Sequence, residues 1–348
     1  MIPVSSELMP DCPYNSYSSS LMKRYGYKVF RVGVDAGFTC PNRCRDPEGR
    51  GCIYCDSQGA RAAYQRISEG SFRHDSDFVS QIDSIALNTD NCSKDLFRFD
   101  YEDIRKQVER GMSFIRRRYK TDHFAVYLQS FSNTFAPVDK LKELYDYVMT
   151  LHGWEALIVS TRPDCIDDAK LELLASYKER CGSVCVELGL QSGSDDLLKA
   201  MKRGHDVACF LDAAENVKRH GLELCVHVLT GFPGEGRKEL DMTIDAVNKV
   251  HPDAIKIHNL NIVAGTELYD MFLDGEITAP SMTRHLENTV YFLRRIPYDI
   301  VVERLICETP NHRLASPRLF PDKNRFLRLL EKTMAERGVR QGDLCSRQ

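Results

Sequence analysis

An α/β fold, and within that class a partial (β/α)6 barrel with a short α/β C-terminal extension, is what this sequence of 348 residues predicts. Three observations carry the prediction. Short β-like runs alternate with amphipathic helical patterns, which implies βα units on a parallel sheet. One face of these runs repeatedly carries polar groups that a closed, side-chain-filled barrel would not hold. A loop crowded with cysteines follows the first run, at the end of the strand where barrels of this kind place their chemistry.

Taken in order, the β-like runs are 28–34, 124–129, 156–161, 184–191, 222–229 and 254–263. Helical patterns occupy 101–119, 138–151, 168–178, 208–219 and 239–250. Within 101–119, Ile104, Val108 and Ile115 form one apolar stripe. Along 184–191, Val184, Val186, Leu188 and Leu190 form one face and Cys185, Glu187, Gly189 and Gln191 the other. The same alternation sets Leu224, Val226 and Val228 against Cys225 and His227. It sets Ile255 and Ile257 against Lys256 and His258, and Phe124, Val126 and Leu128 against Tyr127 and Gln129. A buried polar group without a partner costs about 1–3 kcal/mol, so a lumen lined this way implies a polar ligand or paired neighbours.

Residues 1–22 read as a loose polar arm, 23–275 as the barrel core with an acidic insertion at about 66–103, and 276–348 as the extension. The extension contains an apolar strand candidate at 300–307. Overall charge is −3, which does not announce a nucleic-acid binder. The distribution is uneven: four basic and nine acidic residues lie in 66–103, against eight basic and three acidic in 313–340. A second basic patch, Arg116-Arg117-Arg118 with Tyr119 and Lys120, offers an aromatic for stacking. No apolar run reaches the ~20 residues of a membrane span, and the first residues lack a secretory pattern. A cytoplasmic protein without a membrane partner is therefore expected, and the 13 cysteines point to metal or redox chemistry rather than disulfides.

Four of those thiols, Cys40, Cys44, Cys52 and Cys55, sit in one loop, Cys-Pro-Asn-Arg-Cys-Arg-Asp-Pro-Glu-Gly-Arg-Gly-Cys-Ile-Tyr-Cys. All four could close a tetrahedral zinc site, giving a zinc-stabilised binding protein. Alternatively, three could hold a [4Fe–4S] cluster with one iron open to a co-substrate.

The segment Gly37-Phe38-Thr39-Cys40-Pro41-Asn42-Arg43, with the Cys-x11-Cys-x2-Cys spacing to Cys52 and Cys55, resembles the cluster loop of the radical S-adenosylmethionine (SAM) superfamily. The likeness continues through Thr161-Arg162-Pro163-Asp164, Glu187-Leu188-Gly189-Leu190-Gln191-Ser192, Arg203-Gly204-His205, Gly231-Phe232-Pro233-Gly234-Glu235, Lys256-Ile257-His258 and Gly265-Thr266-Glu267-Leu268-Tyr269. This series looks like the radical SAM half of the elongator catalytic subunit, which acts on the wobble uridine of tRNA.

That resemblance implies a [4Fe–4S] cluster on Cys40, Cys52 and Cys55, with Cys44 the competing candidate for the first ligand. It also implies SAM as co-substrate, reductively cleaved to a 5′-deoxyadenosyl radical, and an electron donor such as a flavodoxin or a ferredoxin. Tyr54 is expected against the adenine, Gly231 and Pro233 along its pocket, and Glu187, Gln191 and Gln129 on the ribose or amino group. His227, Lys256 and His258 are the expected catalytic residues, binding substrate or moving a proton. Arg162 and Asp164 are expected either to pair with each other or to grip substrate anions. Possible tRNA is the expected partner, a small metabolite or a protein the alternative. No acetyl-CoA site is expected, since only ~70 residues follow Gly275.

Overall fold

A computed structural model describes residues 12–45, 50–56, 65, 97, 99–309, 313–318 and 322–345. Most of the expected insertion at 66–103 lies outside these residues.

Seven parallel strands form one sheet: β1 (Phe30–Val34), β2 (Phe124–Leu128), β3 (Ala156–Thr161), β4 (Val184–Gln191), β5 (Glu223–Thr230), β6 (Ala254–Asn259) and β8 (Val301–Arg304). Each strand pairs with the next in that order, and among the described residues no strand joins β1 to β8, so that the sheet forms a partial barrel. The outward faces are apolar, as read from the alternation. Val32, Val126, Leu157, Val186, Leu224 and Ile255 share one core with helix residues such as Leu141, Leu144, Phe210 and Val247. Those helices are α3 (Tyr101–Tyr119), α4 (Val138–Thr150), α5 (Asp168–Ser176), α7 (Val207–Arg219) and α8 (Arg237–Val250). Capping chemistry sets several starts: Asp100, Asp167 and Asp206 each accept a backbone N–H of the following turn.

Three expectations are corrected. The described part of the arm is not loose, because α1 (Tyr17–Tyr25) packs Leu21 and Tyr25 against Val29, Ala125, Ala156 and Cys185 at the N-terminal end of the lumen. Its approach is pinned where Val302 N–H donates to Asn15 O at 2.8 Å. The run expected at 254–263 divides, since β7 (Ile262–Val263) leaves the sheet to pair antiparallel with β9 (Leu314–Ser316). The extension also adds a seventh strand to the six expected, because β8 is apolar enough on one face to join the core beside β6. Helices α10 (Met282–Leu293) and α11 (Lys323–Glu336) carry Phe292, Leu293, Phe326 and Leu330 into that same core.

Candidate active site

The cysteine loop leaves the C-terminal end of β1 and is stitched to the barrel by its own polar residues. Pro41–Arg45 forms one helical turn, α2, with Cys44 N–H donating to Cys40 O. Asn42 Nδ2 donates to Lys202 O and Arg203 O, and lies 3.2 Å from Cys52 Sγ. Gly204, at φ +79°, makes room for it, since a Cβ there would overlap Asn42 Oδ1. Arg43 donates to Cys55 O and Asp56 O at 3.1 and 2.9 Å, tying the far end of the loop to its start. The run from Gly37 to Arg43 is thus a folding device as well as a ligand carrier.

Cys40 and Cys52 are buried and Cys55 is half-buried. All three are free of disulfides. They are close enough that charge on Cys52 and on Cys40 raises the Cys55 thiol, on top of the larger effect of burial. At Cys52, burial pushes the thiol up, but Arg203 and Arg162 outweigh it and hold the thiol below its usual value. Arg203 reaches this position by donating to Gly189 O at 3.0 Å, with Nη1 3.8 Å from Cys52 Sγ. A Cβ on Gly189 would stand 2.6 Å from that guanidinium. Arg162 forms a bidentate pair with Asp164 at 2.8 and 2.9 Å, so these two bind each other. Arg162 Nη1 remains buried and unpartnered.

Polar groups without partners gather on the same end of the barrel. Tyr54 packs its ring 5.7 Å from Phe232, with Oη buried and unbonded. Gln129, one residue past β2, and Gln191, the last of β4, are both half-buried, and their side chains make no hydrogen bond among the described residues. Gln191 sits at φ +71°, just past a register shift after which it pairs with Val228 of β5. His258 Nε2, near the end of β6, is buried and unpartnered. Gly231, at φ +97°, would drive a Cβ to 2.7 Å from Pro280 Cγ, so only glycine fits there. Its N–H donates to Glu235 Oε2 at 2.6 Å, and burial raises that carboxyl to about 7. Pro233 is half-buried in the same turn. Native folds rarely leave buried polar groups unpaired. Three cysteines of one loop, two buried guanidiniums and a rim of unsatisfied donors and acceptors fit an iron–sulfur cluster carrying a polar co-substrate.

Deeper in the lumen the structure differs from expectation. Glu187, expected on SAM, is fully buried and saturated. Lys256 Nζ lies 2.6 and 2.5 Å from its two oxygens, Arg31 Nη1 at 2.7 Å, Tyr127 Oη at 2.7 Å and His227 Nε2 at 2.8 Å. Both carboxylate oxygens are therefore engaged, and Glu187 is held far below the usual carboxylate range because Lys256, Arg31 and His227 outweigh its burial. Lys256 and His227, expected as catalytic residues, are partners in this network for the same reason. Arg31 also binds Glu303 at 2.6 Å, so two fixed cations face two carboxylates. Of the three expected catalytic residues, His258 alone keeps a ring nitrogen without a partner. Arg31 and Glu303 were not singled out from sequence. The alternation of Arg31 and Gly33 against Phe30, Val32 and Val34 was the available signal for the first.

Two other features lie at the N-terminal end of the strands, away from the cysteines. A cavity of about 330 Å³ is lined by Tyr17, Arg24, Arg31, Glu223, Asp299 and Glu303. The basic patch at Arg116–Lys120 ends α3, whose C-terminus leads into the start of β2. Tyr119, expected to stack on a base, stacks instead on Phe30 at 4.2 Å, and Arg116 pairs with Asp122. No helix among the described residues is long and apolar enough to cross a membrane.

Comparison with known proteins agrees with this geometry. The radical SAM superfamily model matches residues 39–247, and a Radical_SAM C-terminal domain model matches 252–336. The chain is 28% identical over 334 residues to Uncharacterized protein YtqA of Bacillus subtilis (strain 168), covering 96% of this chain and 93% of that protein. It is 34% identical over 128 residues to the tRNA uridine(34) acetyltransferase of Methanocaldococcus infernus, covering 36% of this chain and 23% of that one. The solved structure of archaeal Methanocaldococcus infernus Elp3 with an N-terminal deletion shares the fold, at a TM-score of 0.59 and 23% identity, over 72% of this chain and 62% of that one.

Proposed function

The chain belongs to the radical SAM superfamily, and from that premise we propose that it modifies the wobble uridine of tRNA, at the side chain on C5. It is a radical SAM enzyme whose cofactors are a [4Fe–4S] cluster and SAM. The observation that carries the substrate is the 34% local identity to an enzyme named for uridine 34 of tRNA.

Cys40, Cys52 and Cys55 would hold the cluster, which when bound supplies the electron that cleaves the sulfonium of SAM. The chain's own contributions follow from position. Arg203 and Arg162 favour the thiolate at Cys52. Tyr54, with Phe232 behind it, offers an aromatic wall for adenine. The Gly231–Pro233 turn brings bare backbone close to that wall. Gln129 and Gln191 present free amides for the ribose and amino group. His258 stands over the Glu187 network with one free nitrogen to bind substrate or move a proton. Beneath it, the ion-paired floor formed by Lys256, Glu187 and Arg31 fixes the lower wall.

A second reading, action on a small metabolite or a protein partner, is favoured by the Arg116–Lys120 patch lying at the opposite end from the cysteines. One experiment separates the two. Reconstituted protein with SAM and a reductant is assayed for 5′-deoxyadenosine with and without bulk tRNA, and tRNA nucleosides are compared between cells with and without the gene. Stimulation by tRNA together with a lost wobble-uridine modification is expected. Unchanged wobble uridines would remove the tRNA assignment and leave the radical chemistry standing.

A further inference from the structure

We propose that Arg304 and Lys323 form a phosphate-binding subsite on the open edge of the barrel mouth, beside His258, that grips a phosphate of the nucleotide substrate. The phosphate class of ligand rests on the nucleotide reading above; the cation pair itself does not.

The geometry begins at β8. Arg304 ends that strand, opposite Lys256 in the register of β6. The chain then runs along the end of β6, where Cys307 N–H donates to Asn259 Oδ1 at 2.7 Å. One residue later Glu308 Oε1 accepts the backbone N–H of Lys323 at 3.0 Å, which docks the start of α11 at the same rim. Strand, rim and helix start therefore bring Arg304 and Lys323 together next to the residue two positions past Lys256, which is His258.

Both cations are exposed, and among the described residues neither forms an ion pair or a side-chain hydrogen bond. The nearby carboxylates are engaged elsewhere. Glu308 is on the Lys323 backbone, Asp322 caps the helix through Arg325 N–H, and Glu303 turns inward to Arg31. Partial burial and then the positive charge of Arg304 lower the Lys323 amine, and that charge is felt as well at the half-buried His258 ring. Two like charges held this close repel each other, and a bound anion relieves that repulsion. A guanidinium fork and an ammonium are complementary to phosphate oxygens. The second, independent sign of a ligand is His258 Nε2, buried and without a partner. Among the described residues no strand pairs with β8 on its far side, so Arg304 lies on a sheet edge.

The test uses the cluster-loaded protein with SAM, under anaerobic conditions, and compares binding of uridine 5′-monophosphate and uridine. The expected result is tighter binding of the monophosphate by about tenfold or more, the scale of a charged hydrogen bond, and loss of that advantage in Arg304→Gln/Lys323→Gln. Both residues are exposed, so the unfolding midpoint and the cluster absorption should stay as in the parent. Arg304→Lys should retain part of the advantage. Equal binding of the two probes, or monophosphate binding indifferent to both substitutions, overturns the subsite. An anticodon stem-loop RNA serves as competitor. Displacement of the monophosphate, with a salt slope shallower by about 1.4 in the double variant, supports the subsite and the tRNA reading together. A monophosphate that depends on Arg304 and Lys323 but is not displaced by RNA keeps the subsite and removes the tRNA reading.

Discussion

Replacing Lys256 by methionine isolates the buried charge network. The side chain keeps its length and packing but loses a cation that touches both oxygens of Glu187 at 2.6 and 2.5 Å and Tyr127 Oη at 3.2 Å. In the parent protein Arg31 and Lys256 balance Glu187 and Glu303; in the variant two carboxylates share one guanidinium. Breaking a buried pair from one side costs about 3–5 kcal/mol. Arg31, His227 and Tyr127 remain on Glu187, so the lower end, about 3 kcal/mol, is expected at pH 8.

The loss should shrink on acidification. In the parent, burial and then Lys256 hold the His227 pKa down, and Glu187 opposes them. Without Lys256 that balance moves toward the imidazolium. A histidine raised in the fold stabilises it below its unfolded value of about 6.5 and loses that effect as pH rises. In the parent the sign is reversed, because a depressed histidine disfavours the fold as pH falls. Urea unfolding of parent and Lys256→Met, followed by circular dichroism at pH 8 and pH 6, reads the difference directly. Adding Glu187→Gln to Lys256→Met restores neutrality, with Arg31 on Glu303, so the double variant should cost less than the sum of the singles. A cost for Lys256→Met below about 1 kcal/mol, or strict additivity, would falsify the assignment of a mutually compensating network.

Two further outcomes follow from the same geometry. Cys40→Ala, Cys52→Ala and Cys55→Ala should each abolish the brown colour of anaerobically reconstituted protein, whereas Cys44→Ala should keep it. Colour lost in Cys44→Ala would reassign the first ligand. Glu235 is raised by burial to about 7 from 4.5, so between those values the folded state holds the proton more tightly than the unfolded chain and stability falls as pH rises. The group accounts for up to about 3 kcal/mol of that fall. Glu235→Gln, which can still accept the Gly231 N–H, should flatten it, as read by denaturant midpoints at pH 5 and pH 8.

Legibility from sequence followed the reach of each signal. The outward faces of β2, β4, β5 and β6 follow the alternation, and Val186, Leu224 and Ile255 lie where that pattern put them, because a half-polar strand has one stable register. Resemblance of the loop picked out Cys40, Cys52 and Cys55 as the expected ligands, and the structure adds why Asn42 and Arg43 accompany them. The lumen was harder. Alternation shows that Glu187, His227 and Lys256 face inward, but not that Arg31, 156 residues from Glu187 in sequence, arrives to saturate the same carboxylate. Inward polarity was therefore read as substrate contact where it is charge pairing. The helix in the arm, and the place that the expected strand at 300–307 takes in the sheet, were not legible for a related reason. A nine-residue helix and a four-residue strand carry little periodicity of their own, and both are fixed by contacts with distant chain. The Arg304–Lys323 pair left no local trace, since 19 residues separate its members.

The tether between the two ends of the sequence has a consequence for synthesis. Asn15 N–H donates to Gln341 Oε1 at 2.9 Å, and Gln341 N–H returns to Pro13 O. Arg313 meanwhile clasps Asp56, next to the last cluster thiol. A ribosome makes Asp56 257 positions ahead of Arg313, so this clasp forms only after the strands from β2 to β8 have been synthesised. The anchor beside the cysteine loop is therefore a long-range contact that follows the strands rather than precedes them.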